Sequence, residues 1–316
     1  MSALRTRGLL RTAFIAVAVT GIASAAEAPL DAAALDQWWN FNEPAASEAM
    51  FRVEIEKLPR GSGARLELAT QIARAQALQR RFDDANRTLD EVEKALPGHA
   101  PRVSVRYLLE RGRVFNSSRQ PERAVPLFRA ALDQARAAGE DFLAIDAAHM
   151  LGIAAPPSER LDWNLQAVAM TERTSDARSK RWLASLYNNI GWTYHDRGDY
   201  ARALDYFEKA LPAWQARGDG ESIRAARWSV ARALRSLGRY DEALAIQHEL
   251  LSELEAGSEK DGYVFEELGE LTLARGDAPG AKPWFAKAYA ALSADAGFSA
   301  DNPERLERLR RLGAAP

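Results

Sequence analysis

From Ala64 onward, apolar residues recur at the three- and four-residue intervals of helices that bury one face, and no run alternates as a strand would. Five segments share one shape, in which a small residue is followed four residues later by a large one: RRFDDANRTLDEV, RQPERAVPLFRAAL, GDYARALDYFEKAL, GRYDEALAIQHELL and GDAPGAKPWFAKAY. Their key alanines, Ala85, Ala124, Ala203, Ala243 and Ala281, are separated by 39, 79, 40 and 38 residues. The double step holds one degenerate unit around Asn164. The pattern predicts six pairs of antiparallel helices. A single pair cannot bury its own apolar face, so neighbouring pairs must stack.

The fourth unit sharpens this reading. Tyr187, Ile190-Gly191, Tyr194, Ala203, Phe207 and Ala210 stand in the order aromatic, Leu-Gly, aromatic, Ala, Phe, Ala, and the sixth unit repeats it with Phe265, Leu268-Gly269, Ala281, Phe285 and Ala288. This set resembles the tetratricopeptide repeat family over residues 64–295, most weakly in the third unit. The units are about five residues longer than the family's 34. The resemblance implies an all-α, right-handed superhelical solenoid of about six hairpins with capping helices, and a protein or peptide partner. Gly191 and Ala203 are small where the two helices of a hairpin cross. Tyr187, Tyr194 and Phe207 are expected to fill the space between hairpins. Gly198, Gly238 and Gly276 follow helix ends where a positive φ is needed, and Asp199 and Asp277 are suited to cap the next helix. Asn189 is expected to make a structural hydrogen bond. Pro156-Pro157 predicts a longer loop in the third unit rather than a kink.

The ends differ from the array. Arg5, Arg7 and Arg11 precede an apolar stretch, Thr12 to Ile22, and then Ala23-Ser24-Ala25, the order of an export signal cleaved after Ala25 or Ala26. The stretch is shorter than the roughly 20 residues that span a bilayer. The domain reading is therefore a signal peptide over 1–25, N-terminal capping helices over 26–60, the repeat array over 61–295 and a C-terminal capping helix over 296–316. Ala46 lies 39 residues before Ala85, so the N-terminal cap reads as a degenerate first hairpin, with Trp38 and Trp39 on it. Asn302-Pro303-Glu304 opens the last helix. The expected location is periplasmic or secreted, with an uncleaved N-terminal anchor as the alternative.

Composition mainly excludes. The formal charge is −2, and losing the three leader arginines takes it to −5, which does not suit a nucleic-acid partner. No cysteine is present, which removes disulfides, thiolate nucleophiles and cysteine-held zinc. The four histidines are far apart in sequence, so no metal or cofactor is expected. No nucleophile elbow or phosphate-binding loop occurs. His195 and Asp196 are adjacent on a helix, pointing about 100° apart, so they do not form a catalytic dyad. The chain reads as a non-enzyme.

Binding remains. By the family's register, the first helix of each unit lines a concave groove. The candidate residues are Arg74, Arg113, Asn116, His149, Asn188, Trp192, His195, Trp228, Arg232, Arg235, Glu266 and Glu270, flanked by Glu67, Arg106, Asp146, Ser185 and Tyr263. Arginine and asparagine hold carboxylates or peptide backbone, and tryptophan is a rigid apolar anchor. An extended segment bearing acidic and aromatic or aliphatic residues suits such a wall. The alternative is that the tryptophans pack between hairpins and the arginines pair with neighbouring acids. Trp192 fits both readings. Trp228 fits the groove better, because Val230 and Ala231 already supply that helix's apolar face. A rival function is a structural subunit of an envelope assembly, touching its partners through the convex face or the caps.

Overall fold

The computed structural model describes residues 28–314, and the leader and its cleavage residues lie outside them. Seventeen helices and no strand occur among the described residues. Six hairpins form the array: α3 (Gly63–Leu78) with α4 (Phe82–Ala95), α5 (Pro101–Ser117) with α6 (Pro121–Ala138), α7 (Asp141–Ala154) with α8 (Pro157–Arg173), α10 (Trp182–Asp196) with α11 (Tyr200–Gln215), α12 (Gly220–Ser236) with α13 (Tyr240–Ala256), and α14 (Gly262–Ala274) with α15 (Ala278–Ser293). They stack as a right-handed superhelix. A one-turn helix, α9 (Ala177–Lys180), links the third and fourth hairpins.

In three hairpins a contact between residues sixteen apart sets the crossing. A Cβ added at Gly112, Gly191 or Gly269 would stand 2.4, 2.5 or 2.8 Å from the ring of Phe128, Phe207 or Phe285. Those rings are fully buried, and no side chain beyond hydrogen fits opposite them. Phe207 therefore locks its own hairpin, and it also belongs to an apolar cluster with Val230, Ala231 and Leu234 of the next one. In the first and fifth units Ala73 and Leu89, and Ala231 and Gln247, stand at the same interval, and all four are fully buried.

Three of the turns follow the glycine rule, with φ of 77°, 75° and 88° at Gly198, Gly238 and Gly276. Arg80 and Arg119 occupy the equivalent place in the first two hairpins with φ of 61° and 63°, a conformation that costs an arginine more than a glycine. Asp199 accepts from Arg202 N–H and Asp277 from Gly280 N–H, as capping predicts. The third turn departs from expectation. α7 ends at Ala154 and Pro157 already opens α8, so two residues connect them where the other hairpins use three. Proline at the first helical position needs no N–H partner, which lets the turn tighten instead of lengthening.

The ends close the array unequally. α17 (Pro303–Gly313), following α16 (Ala296–Asp301), buries Leu309 against the last hairpin. At the other end α2 (Pro44–Ile55) packs on α3 through fully buried Phe51. α1 (Ala32–Trp38) does not complete a hairpin with α2; it turns across the concave side instead. Asp301 bonds Arg80 and Arg119, so the superhelix curves until its exit lies beside the turns of its first two hairpins. No helix among the described residues is long and apolar enough to cross a membrane.

Candidate functional site

The concave wall divides into two parts. Its first part belongs to α3, α5 and α7, where buried charges are cross-linked. Arg113 donates to Glu110 at 2.8 Å and to Asp146, and Arg74 lies 3.8 Å from Glu110. Burial acts to lower the Arg113 pKa, but the two carboxylates outweigh it and hold the guanidinium firmly charged. Arg106 donates to fully buried Glu67 at 2.7 Å, and Arg102 reaches both Glu67 and Glu140. These arginines of the sequence-derived wall are thus engaged by acids on adjacent first helices. His149 packs its ring 4.8 Å from Trp182, and its Nδ1 is buried without a partner. Burial pushes its pKa down to about 4 despite nearby Asp146, so the ring is neutral at pH 7. Asn116 is half-buried on α5, three residues after Arg113.

The second part runs over α10, α12 and α14 as an aromatic ladder. Trp192 stands 5.8 Å from Trp228, Trp228 stands 5.9 Å from Tyr263, and Tyr263 stands 5.8 Å from Phe298. Trp192 also meets Phe207 and His195, both at 5.1 Å, so it serves the hairpin core and the wall together. The Trp228 indole N–H donates to the Tyr263 carbonyl at 3.1 Å, which fixes its ring angle. His195 bonds Ser236 at 3.1 Å, and burial and then Arg232 lower its pKa. Asn188 is half-buried one turn before Trp192. Arg235 grips buried Glu267, with Nη2 at 3.1 Å, whereas neighbouring Arg232 makes no ion pair within 4.0 Å among the described residues. Burial and then the charge of Arg235 lower the Arg232 pKa. Glu266 and Glu270 are taken by Arg305 and Arg308 of α17. Trp192, Trp228, Arg232, His195 and Asn188 are half-buried on this part of the wall. Asn189 faces away from it, and its Nδ2 is buried without the hydrogen bond expected of it.

Sequence reasoning missed the N-terminal strap. Residues 30–42 cross the concave side and, from Leu35 to Asn42, line a half-open cleft of roughly 610 Å³ together with the first helices and the turn at Trp214, Arg217 and Asp219. Asp36 accepts from Arg178 Nε at 3.0 Å and Nη2 at 2.7 Å, and from Arg181 at 3.1 Å. Burial tends to raise the Asp36 pKa, but the two guanidinium groups bring it below the ordinary carboxylate value. Trp39 donates to Gln71 at 3.2 Å, and Arg74 covers the stacked rings of Trp39 and Phe41. Arg178 and Arg181 sit in the connector between units, outside the repeat register, so the period could not nominate them. The available signal was the strap's own acid and aromatics, the ligand chemistry already inferred for the wall.

Among the described residues no group of three or more histidines or acids is placed to hold a metal ion. No curated protein matches the chain in sequence. A tetratricopeptide repeat family model matches residues 161–216 and 182–252. Solved structures resemble the fold over most of its length. The apo form of RapI aligns with a TM-score of 0.60 at 13% identity, covering 85% of this chain and 79% of that one. A tetratricopeptide repeat protein from Parabacteroides merdae aligns at 0.54 and 14%, covering 88% and 96%. BtubC (BKLC) from P. vanneervenii aligns at 0.53 and 18%, covering 71% and 92%. The chain shares the tetratricopeptide-repeat solenoid fold and carries matched repeats between residues 161 and 252.

Proposed function

We propose that this chain is a non-catalytic scaffold that holds an extended segment of a protein partner in its concave groove, after export to the periplasm or beyond. The observation that carries the reading is the ladder of Trp192, Trp228 and Tyr263 beside Arg232, a half-buried cation with no ion pair among the described residues. Aromatic faces spaced along successive first helices offer apolar anchors at regular intervals, and an unpaired guanidinium at their side selects a carboxylate. Protein binding is also the use that the repeat fold serves by stacking hairpins into a long concave surface. The leader Arg5, Arg7 and Arg11, the apolar stretch and Ala23-Ser24-Ala25 support export.

Affinity capture from an envelope extract, comparing the wild type with Trp228→Ala/Arg232→Gln, tests the groove. The variant is expected to lose the partner while circular dichroism shows it still folded at the capture temperature. Capture that survives these changes but fails with Trp38→Ala/Trp39→Ala would transfer the function to the N-terminal cap. N-terminal sequencing of the exported protein is expected to begin at Ala26 or Glu27; an intact Met1 on a membrane-bound chain would refute cleavage.

A further inference from the structure

The strap carries the chemistry of a bound ligand. Asp36 is followed by Trp39 and Phe41, three and five residues on. Each is met by a matching group on the first helices or their connector. Arg178 takes Asp36 through two nitrogens and itself lies 3.6 Å over the Phe142 ring, with Arg181 as a second cation. Gln71 takes the Trp39 N–H, and Arg74 lies 5.1 Å over Phe41. Asn42 then reaches Glu221 on α12, 179 residues away, at 3.0 Å. A helix of seven residues is not stable by itself, and α1 has no antiparallel mate. These contacts, with Leu30 and Leu35 buried among Phe51, Leu68 and Ile72, hold the strap in place. It fills its site incompletely, leaving the cleft beneath it and Phe41 55% exposed.

We infer that the face formed by Arg74, Gln71, Phe142, Arg178 and Arg181 is a docking surface for a partner's extended segment with an acid three to five residues before an aromatic. Residues 30–42 are its tethered occupant, which that segment displaces. The inference rests on the groove-binding reading and adds to it the partner's motif and the competitor that regulates access. A tethered segment competes at a high effective concentration, so loosening it exposes the surface without changing it.

The test uses the full chain and a fluorescein-labelled peptide of residues 28–43, read by anisotropy. Asp36→Asn/Trp39→Ala is expected to bind the peptide at least about tenfold more tightly than the wild type, because charge-assisted hydrogen bonds and a half-buried indole no longer hold the strap. Adding Arg178→Gln to that variant, or Asp36→Asn to the peptide, is expected to weaken binding by about tenfold or more. Hydrogen exchange over residues 30–42 reports release of the strap, and Asp36→Asn alone, a part-exposed change, serves if the double variant melts early. Equal peptide affinity for wild type and variant, or a strap that stays protected in the variant, overturns the inference. A concentration-dependent wild-type dimer that the peptide dissolves also overturns it, since a second copy would then be the occupant. Peptide binding that persists while partner capture survives Trp228→Ala/Arg232→Gln would leave this surface standing and remove the ladder from the reading above.

Discussion

Gln247 occupies the place where Phe128, Phe207 and Phe285 lock the second, fourth and sixth hairpins, yet it is a fully buried amide whose Oε1 and Nε2 both lack partners. Gln247→Met keeps the length and unbranched shape of the side chain and removes the unpaired amide. Leaving such a group buried costs about 1–3 kcal/mol, and Gln and Met have similar helix propensities, so the variant should gain about that amount. For a chain of this size the gain corresponds to roughly 2–6 °C in melting temperature. Urea unfolding followed by circular dichroism should show a higher midpoint at unchanged slope. Gln247→Phe should behave oppositely. The facing residue is Ala231, and a Cβ at the corresponding Gly112, Gly191 and Gly269 would stand within 2.8 Å of the phenylalanine ring. Overpacking should cost about 1–3 kcal/mol. Ala231→Gly alone should cost about 1 kcal/mol through backbone entropy, but combined with Gln247→Phe it should recover at least about 1 kcal/mol of the sum. A Gln247→Met variant that loses more than about 1 kcal/mol, or a double mutant that is simply additive, would refute the reasoning.

Gly191→Ala should destabilise by about 1–3 kcal/mol, because its methyl would enter the Phe207 ring at 2.5 Å; a neutral effect in urea unfolding would show that the crossing relaxes. The Asp36 carboxylate, held below its ordinary 3.8, stabilises the closed strap above that value and loses this as pH falls through its lowered pKa. Hydrogen exchange over residues 30–42 should therefore accelerate only at the acid end of a pH 7 to 3 series, beyond the intrinsic change in exchange rate; a loss of protection near neutrality would point to another group. His149, with its pKa near 4 against 6.5 unfolded, opposes protonation in the fold, so its contribution to stability falls as pH drops from about 6.5 towards 4. Imidazole resonances should titrate near pH 4, and a midpoint near 6.5 would contradict its burial.

The six hairpins were readable because their controlling contacts are local and repeated. Gly191 meets Phe207 sixteen residues later, and Gly112 with Phe128 and Gly269 with Phe285 keep that interval. The third unit was harder to read: Asn164 stands near Gly152 at an interval of twelve, and its turn is one residue shorter. The site was readable only as a set of positions. Arg232 and Arg235 lie one turn apart on the same helix, and nothing local distinguishes them. Arg235 is engaged because Glu267 lies across the neighbouring helix, while Arg232 has no such acid within ion-pair distance among the described residues. Arg113 is likewise engaged by Asp146, 33 residues away.

By itself, then, the sequence determined the helical hairpins, their register and the row of first-helix residues that faces inward, because a repeating short-range contact writes its period into the chain. Tertiary structure alone decided which wall residues stay available and that residues 30–42 lie across the wall. The Asp36–Arg178 pair spans 142 residues and belongs to no period. It exists only because the superhelix curves until the connector between its third and fourth hairpins comes within reach of the strap.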